Sequence, residues 1–319
     1  MQRIAIVTPA RAGTRTGNRH TAQRWAAMLR GPGRRVRVMT EWDGAPADVL
    51  IALHARRSHD SIARYRAALP RGALVVALTG TDLYRDLPGS REARQSLEIA
   101  SRLVVLQAEA LRELAARHRR KASVVFQSSD ADLRHAPPRD RFRVAVVGHL
   151  REEKDPFRTA AALLHLPRRD ELEVVQLGDA MSPAMAAQAK RWMRREPRYR
   201  WIGGVPHAAA LGWIARSHLL VVSSVMEGGA NVICEAARIG TPVIASRVSG
   251  NLGMLGRRHP GYYRLGDERA LARLLARAQD DPRFYGRLKS ALRERRARFA
   301  PGAEKRALLS VLRKVPQQE

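Results

Sequence analysis

The chain has 319 residues, enough for two domains of roughly 100–200 residues each, and its 45% hydrophobic content supports packed cores and excludes a disordered chain. No apolar run approaches the roughly 20 residues that a bilayer span requires, and the single cysteine, Cys234, excludes an internal disulfide and fits a reducing compartment. A net charge of +28, carried mostly by Arg, favours polyanions, anionic membrane surfaces or small anionic substrates, with a GC-rich genome as the other source of so many arginines.

The opening Met1-Gln2-Arg3-Ile4-Ala5-Ile6-Val7 is too short an apolar run for a signal peptide and reads as a strand, so a cytoplasmic protein is expected. A polar loop rich in Gly, Thr and Arg follows, then a helix over about 19–30. Strands are expected at 36–39, 48–53, 73–78, 103–106 and 123–126, with helices between most of them. Short buried runs alternating with helices predict a parallel sheet covered on both faces. The polar segment 128–141, with Pro137-Pro138, reads as a linker. The alternation then restarts: strands at 142–147, 172–177, 200–202, 219–223 and 242–245, and helices at 155–166, 183–195, 207–216 and 230–239. Gly240-Thr241-Pro242 stops the last of these, and the basic tail 268–315 is mostly helical. Two doubly wound halves of this kind are expected to face one another across a cleft, with ligands at the carboxyl ends of the strands.

The segment with most chemistry is Glu227-Gly228-Gly229-Ala230-Asn231-Val232-Ile233-Cys234-Glu235. It leaves a strand and opens a helix. Two glycines let the backbone approach a ligand, and the first amides of the helix form an anion site. A carboxylate accepts readily from a pair of sugar hydroxyls. The pattern suits a molecule with a diphosphate at its centre and a hydroxylated ring at each end.

The run from Glu227 to Ser246, E-G-G-A-N-V-I-C-E-A-A-R-I-G-T-P-V-I-A-S, resembles the E-x7-E signature of the retaining GT4-like glycosyltransferases, which have the GT-B fold. The resemblance implies an α/β chain with an N-terminal Rossmann-like acceptor domain over 1–138 and a C-terminal nucleotide-sugar domain over 139–295. A last helix, 296–319, would pack back on the first domain. It gives Glu235 the ribose hydroxyls of the donor, Glu227 the transferred sugar, and the stretch Gly228, Gly229, Ala230, Asn231 and Val232 the sugar and phosphates. Gly148-His149-Leu150-Arg151-Glu152-Glu153-Lys154 resembles the family's G-R-L-x-x-x-K motif. Lys154 would meet the leaving diphosphate, His149 replaces the motif's Arg, and Arg151 could substitute for it. The first loop, with Arg11, Gly13, Thr14, Arg15, Thr16, Gly17, Asn18, Arg19 and His20, would cradle a phosphate or the acceptor. His54, Thr81 and Asp82 stand at strand ends that match family positions facing the cleft, which implies a catalytic place for His54 and acceptor contacts for Thr81 and Asp82. Asp130 and Asp132 form a D-x-D pattern in the linker and read as structural. No metal and no cofactor is expected, since helix dipoles and cations can replace a metal.

Three runs, T-P-A-R-A-G-T-R-T-G-N-R-H-T-A-Q-R-W, L-H-A-R-R-S and A-L-T-G-T-D-L-Y-R-D-L, resemble the selenosugar synthases of selenoneine biosynthesis within that family. That implies a UDP-sugar donor (UDP-GlcNAc or UDP-glucose), a selenophosphate acceptor, and the products 1-seleno-sugar, UDP and phosphate. Two alternatives stay open. One is a GT4 enzyme with a carbohydrate or lipid hydroxyl acceptor, held weakly at a membrane surface by its basic tail. The other is a basic nucleic-acid-binding protein, which the 5% aromatic content and the lack of a recognition motif disfavour.

Overall fold

The computed structural model describes residues 1–11, 13, 17–167 and 171–315. The chain forms two compact units, Met1–Gln127 with Pro301–Glu319, and Ser128–Ala300.

In the first unit β1 (Gln2–Val7), β2 (Arg34–Met39), β3 (Val49–Leu53), β4 (Ala73–Leu78), β5 (Arg102–Val105) and β6 (Ala122–Val124) make one parallel sheet in the order β2-β1-β3-β4-β5-β6. β3 and β4 are buried at every position. Period-two alternation sends Ile4, Ile6, Ile51 and Val75 to one face, against Trp25 and Leu29 of the helix Gly17–Leu29. Ala5, Leu50, Ala52 and Val76 go to the other, against Ile62 and Tyr65 of the helix His59–Ala68. Each large side chain so buried contributes about 1.5–3 kcal/mol.

The helix Pro301–Arg313 belongs to this unit. Its Leu308, Val311 and Leu312 join the Trp25 cluster. Glu304 is buried there and accepts from Arg24 Nε (2.8 Å) and Trp25 Nε1 (2.7 Å).

The second unit repeats the plan. β7 (Phe142–Val147), β8 (Leu172–Leu177), β9 (Tyr199–Trp201), β10 (Leu219–Val222), β11 (Val243–Ser246) and β12 (Tyr262–Tyr263) are parallel, in the order β12-β11-β10-β7-β8-β9. Its main core gathers Val144, Val174, Leu219 and Ile244 with Leu271, Leu275, Phe284 and Leu288 from the helices Glu268–Asp280 and Pro282–Arg293.

Several local details depart from the reading of the sequence. The chain enters the second unit at Ser128, not after 138, and the short helix Arg296–Phe299 also belongs to that unit. The segment 128–141 is pinned rather than free. Ser129 N donates to Phe299 O (3.1 Å), Ala136 N to Ala215 O (2.8 Å), and His135 Nε2 lies 2.9 Å from Ser217 O. The helix expected from 155 begins at Arg158, because Asp155 takes a left-handed conformation (φ 42°) just before Pro156. Asp82–Asp86 forms a π-helical turn that no periodicity signals.

Candidate active site

β7 and β10 are neighbours, with β8 beyond one and β11 beyond the other. Chain order reverses between them, and such a switch point opens a crevice at the carboxyl ends of the strands. The loops that follow these two strands are bonded together. Val225 N donates to Glu153 O (2.9 Å), and Ser223 Oγ to Lys154 O (2.9 Å) and Asp155 O (2.8 Å). The hollow they enclose is lined by Gly148, Lys154, Gln176, Ser224, Glu227 and Val232.

Glu227 is 7% exposed and is paired with Lys154 Nζ through Oε1. The same oxygen accepts from Ser224 Oγ (2.6 Å). Behind it Ser246 Oγ donates to Ser224 O (2.6 Å), and Asn251 Nδ2 donates to Ser246 O (3.0 Å). Only a glycine fits at 250, where a Cβ would lie 1.9 Å from Glu227 O. The carboxylate is therefore held through Oε1 by Lys154 and Ser224, with Ser246, Asn251 and the close pass of Gly250 bracing the backbone around it. Ligand groups are best positioned by residues whose own rotamers are locked in this way.

The helix Asn231–Ile239 buries Ile233, Cys234, Ala236, Ala237 and Ile239 and ends at Gly240, φ 98°. The second half of this pattern fixes the helix, and its first half leaves a start suited to ligand. Ala230 is extended and gives no side-chain cap, and Ile233 N donates to Ala230 O (3.0 Å), so Asn231 and Val232 carry the first amides of the helix. Asn231 Oδ1 is shielded from solvent and has no hydrogen-bond partner. One turn on, Glu235 Oε1 lies 2.9 Å from His207 Nε2, the first residue of the helix His207–Ala215.

The loops after β7 and β8 are also stitched. Leu150 N donates to Asp179 O (2.9 Å), Met181 N to Leu150 O (3.1 Å), and Gly178 (φ 136°) lets Gly148 O approach where a Cβ would sit at 2.1 Å. His149 Nδ1 is 3.8 Å from Asp179 Oδ2, and Arg151 is exposed at the entry to the short turn Glu152–Lys154.

In the first unit, His54 is buried in a left-handed conformation (φ 76°) just after β3. Its Nδ1 accepts from Arg57 N (3.3 Å), its Nε2 is 3.1 Å from Thr81 Oγ1 and 3.7 Å from Asp86 Oδ2. Burial lowers its pKa from 6.5, against the opposing pull of Asp82. The neutral ring is then protonated on Nε2. Asp82 corrects an expectation: it is fully buried, and its oxygens accept from Ala55 N (3.0 Å), Thr79 N (2.9 Å) and Gly80 N (2.8 Å). It welds two loops and has no surface to offer a ligand. In the first loop, Arg11 is exposed, Gly13 has φ 81°, and Gly17, Asn18 and His20 lie in the first turn of the helix. Thr14, Arg15 and Thr16 lie outside the described residues.

The structure thus brings Lys154, Glu227 and the start of the helix at Asn231 to one crevice. Glu235 is placed on the same helix with a separate partner. Ser224, His207, Asp179 and Asp86 were not anticipated; the first three are single polar residues outside any motif, and Asp86 lies in the run A-L-T-G-T-D-L-Y-R-D-L without a role that the run itself assigns. Among the described residues, no helix is long and apolar enough to cross a membrane.

Residues 141–281, all within the second unit, match the family model described as glycosyl transferases group 1. No curated protein matches the sequence. By structure the chain is similar to HepE of Anabaena solved with UDP, at a TM-score of 0.79 and 16% identity over 98% of this chain and 100% of that one. It is similar to the same protein solved with UDP-glucose, at 0.78 and 16% over 98% and 100%. A sucrose-phosphate synthase of Thermosynechococcus elongatus gives 0.78 and 18% over 98% and 99%. These likenesses establish the fold as GT-B, two α/β units each built on a parallel six-stranded sheet.

Proposed function

We propose that this chain is a glycosyltransferase that moves a sugar from UDP-GlcNAc or UDP-glucose to selenophosphate, giving a 1-seleno-sugar, UDP and phosphate. The observation that carries the transferase reading is the pairing of Lys154 with Glu227 beside the uncapped start of the helix Asn231–Ile239. The group 1 match covers those residues, and the structural neighbour HepE was solved with UDP and UDP-glucose. The three sequence runs around Gly17, His54 and Thr81 support the narrower acceptor.

The donor's diphosphate sits on the first amides of that helix, with the ribose hydroxyls on Glu235 and the sugar against Glu227. The bond from the anomeric carbon to the diphosphate oxygen breaks, and its electron pair leaves with UDP. Lys154, with Arg151 near the entry, and the helix amides meet the growing negative charge. Selenium of selenophosphate is already anionic and attacks the anomeric carbon without a general base. Water then cleaves the Se–P bond, placing a proton on selenium and releasing phosphate. Holding both anions in register supplies part of the rate by proximity.

Purified protein given either UDP-sugar should release UDP when selenophosphate is added and yield a selenium-containing sugar by mass spectrometry. UDP release only with a carbohydrate or lipid hydroxyl would defeat the selenophosphate reading and keep the transferase. No release with any acceptor would defeat both.

A further inference from the structure

The turn after β3 and the π-helical turn after β4 carry a cluster of charge that the transfer chemistry above does not use. Asp86 is 8% exposed and lies at its centre. Arg56 Nε is 2.9 Å from Asp86 Oδ2, Arg85 Nε is 3.7 Å from Asp86 Oδ1, and His54 Nε2 is 3.7 Å from Oδ2. Arg57 N donates to His54 Nδ1 (3.3 Å), and its exposed side chain follows Arg56 in the same turn. The guanidinium-bearing side chains of Arg56 and Arg85 remain 43% and 47% exposed above a buried carboxylate.

The frame beneath them is rigid. Asp82 ties Ala55 N–H of one turn to Thr79 and Gly80 N–H of the other. Ser58 N donates to His54 O (3.1 Å) and Ser58 Oγ to Leu53 O (2.7 Å), closing the turn that presents Arg56 and Arg57. A non-glycine residue held at positive φ and a π-turn both cost energy, and such features collect at functional sites. With the Asp82 and Asp86 carboxylates against three guanidiniums the cluster keeps a net charge of about +1, which favours an oxyanion.

We propose that Arg56, Arg57 and Arg85, set by Asp86 and flanked by His54 and Thr81, form an oxyanion site that binds the acceptor through a phosphate-like group. This rests on the transferase reading and assigns the anionic end of its acceptor to named residues of the first unit. Asp86 acts as a positioning residue, drawing the Arg56 and Arg85 guanidiniums to its carboxylate by charge.

The test is calorimetric titration of inorganic phosphate into the intact protein, with and without saturating UDP, which fills the diphosphate site. The double variant Arg56→Ala/Arg57→Ala should weaken phosphate binding by about tenfold or more and leave UDP affinity within about twofold. Arg85→Gln, a single change at an exposed side chain, should weaken it less but measurably. A control pair on the exposed face of the helix Pro183–Arg195, Arg191→Ala/Arg194→Ala, should change neither affinity. Unchanged phosphate binding in the Arg56 and Arg57 variant, or an equal loss in the control pair, would overturn the site and leave only diffuse attraction by a basic protein. Failure of UDP to bind at all would strike the donor reading instead, while the comparison of phosphate affinities between variants would still decide the arginine site.

Discussion

Lys154 and Glu227 occupy each other before any ligand arrives. A lysine whose charge is met by a buried carboxylate is held in place, and an incoming diphosphate needs only to share it. Glu227 in turn keeps a second acceptor contact, with Ser224. Lys154→Ala should therefore lower kcat/KM for UDP release by about 10²-fold, the usual scale for one lost group at a site of developing charge. It should also leave Glu227 buried without its counter-charge. Steady-state rates with a fixed acceptor check this, and a loss under about threefold would mean that Lys154 does not face the leaving group.

At the scale of elements, the helix Asn231–Ile239 shows why the sequence is informative here. Its apolar spacing, its Gly240 stop and its capless start are all local properties, legible from residues 227–242 alone. What holds Glu227 is not local: Ser246, Gly250 and Asn251 come from the next strand and helix, and no spacing rule connects them to residue 227. The same contrast separates His54, visible as a polar residue at a strand end, from Asp86, which matters only because a π-turn delivers it. The linker at 128–141 misled for a related reason. Its Pro and charge content read as loose, whereas its bonds to Phe299, Ala215 and Ser217 are tertiary.

The C-terminal helix gives an element-scale prediction. Pro301–Arg313 is bound to the first unit through apolar side chains and one buried acid. Removing Glu304 strands the Trp25 indole N–H and the Arg24 guanidinium. Glu304→Ala should cost about 3–5 kcal/mol by chemical denaturation, the scale of breaking a buried pair from one side. Glu304→Gln keeps an acceptor and should cost less. A loss under about 1 kcal/mol in both variants would show that the helix is held by its apolar face alone.

At the scale of the whole molecule, the +28 charge draws anions broadly, so affinity for any one anion proves little without a salt series and a charge-matched control. Acid response is more specific. Burial lowers His218 and His259 from 6.5 to about 4, helped in each case by a nearby cation, and lowers His54 in the same direction. Folded values below the unfolded value mean that the unfolded chain takes up protons first. Stability present above pH 6.5 is therefore lost as pH falls from there toward 4. Tm should be flat near pH 7–8 and fall between pH 6.5 and 5. His259→Asn should flatten part of that slope, by a few degrees of the pH-induced shift, on the order of 1 kcal/mol. A wild-type Tm that does not move over this range would contradict buried, neutral histidines.

The most direct measurement is a crystal structure of the protein with UDP. The diphosphate should lie on the amides at the start of the helix Asn231–Ile239, within reach of Lys154, with the ribose hydroxyls on the Glu235 carboxylate. UDP bound elsewhere, or a ribose that leaves Glu235 on His207 and untouched by ligand, would contradict the donor site and the transferase reading with it.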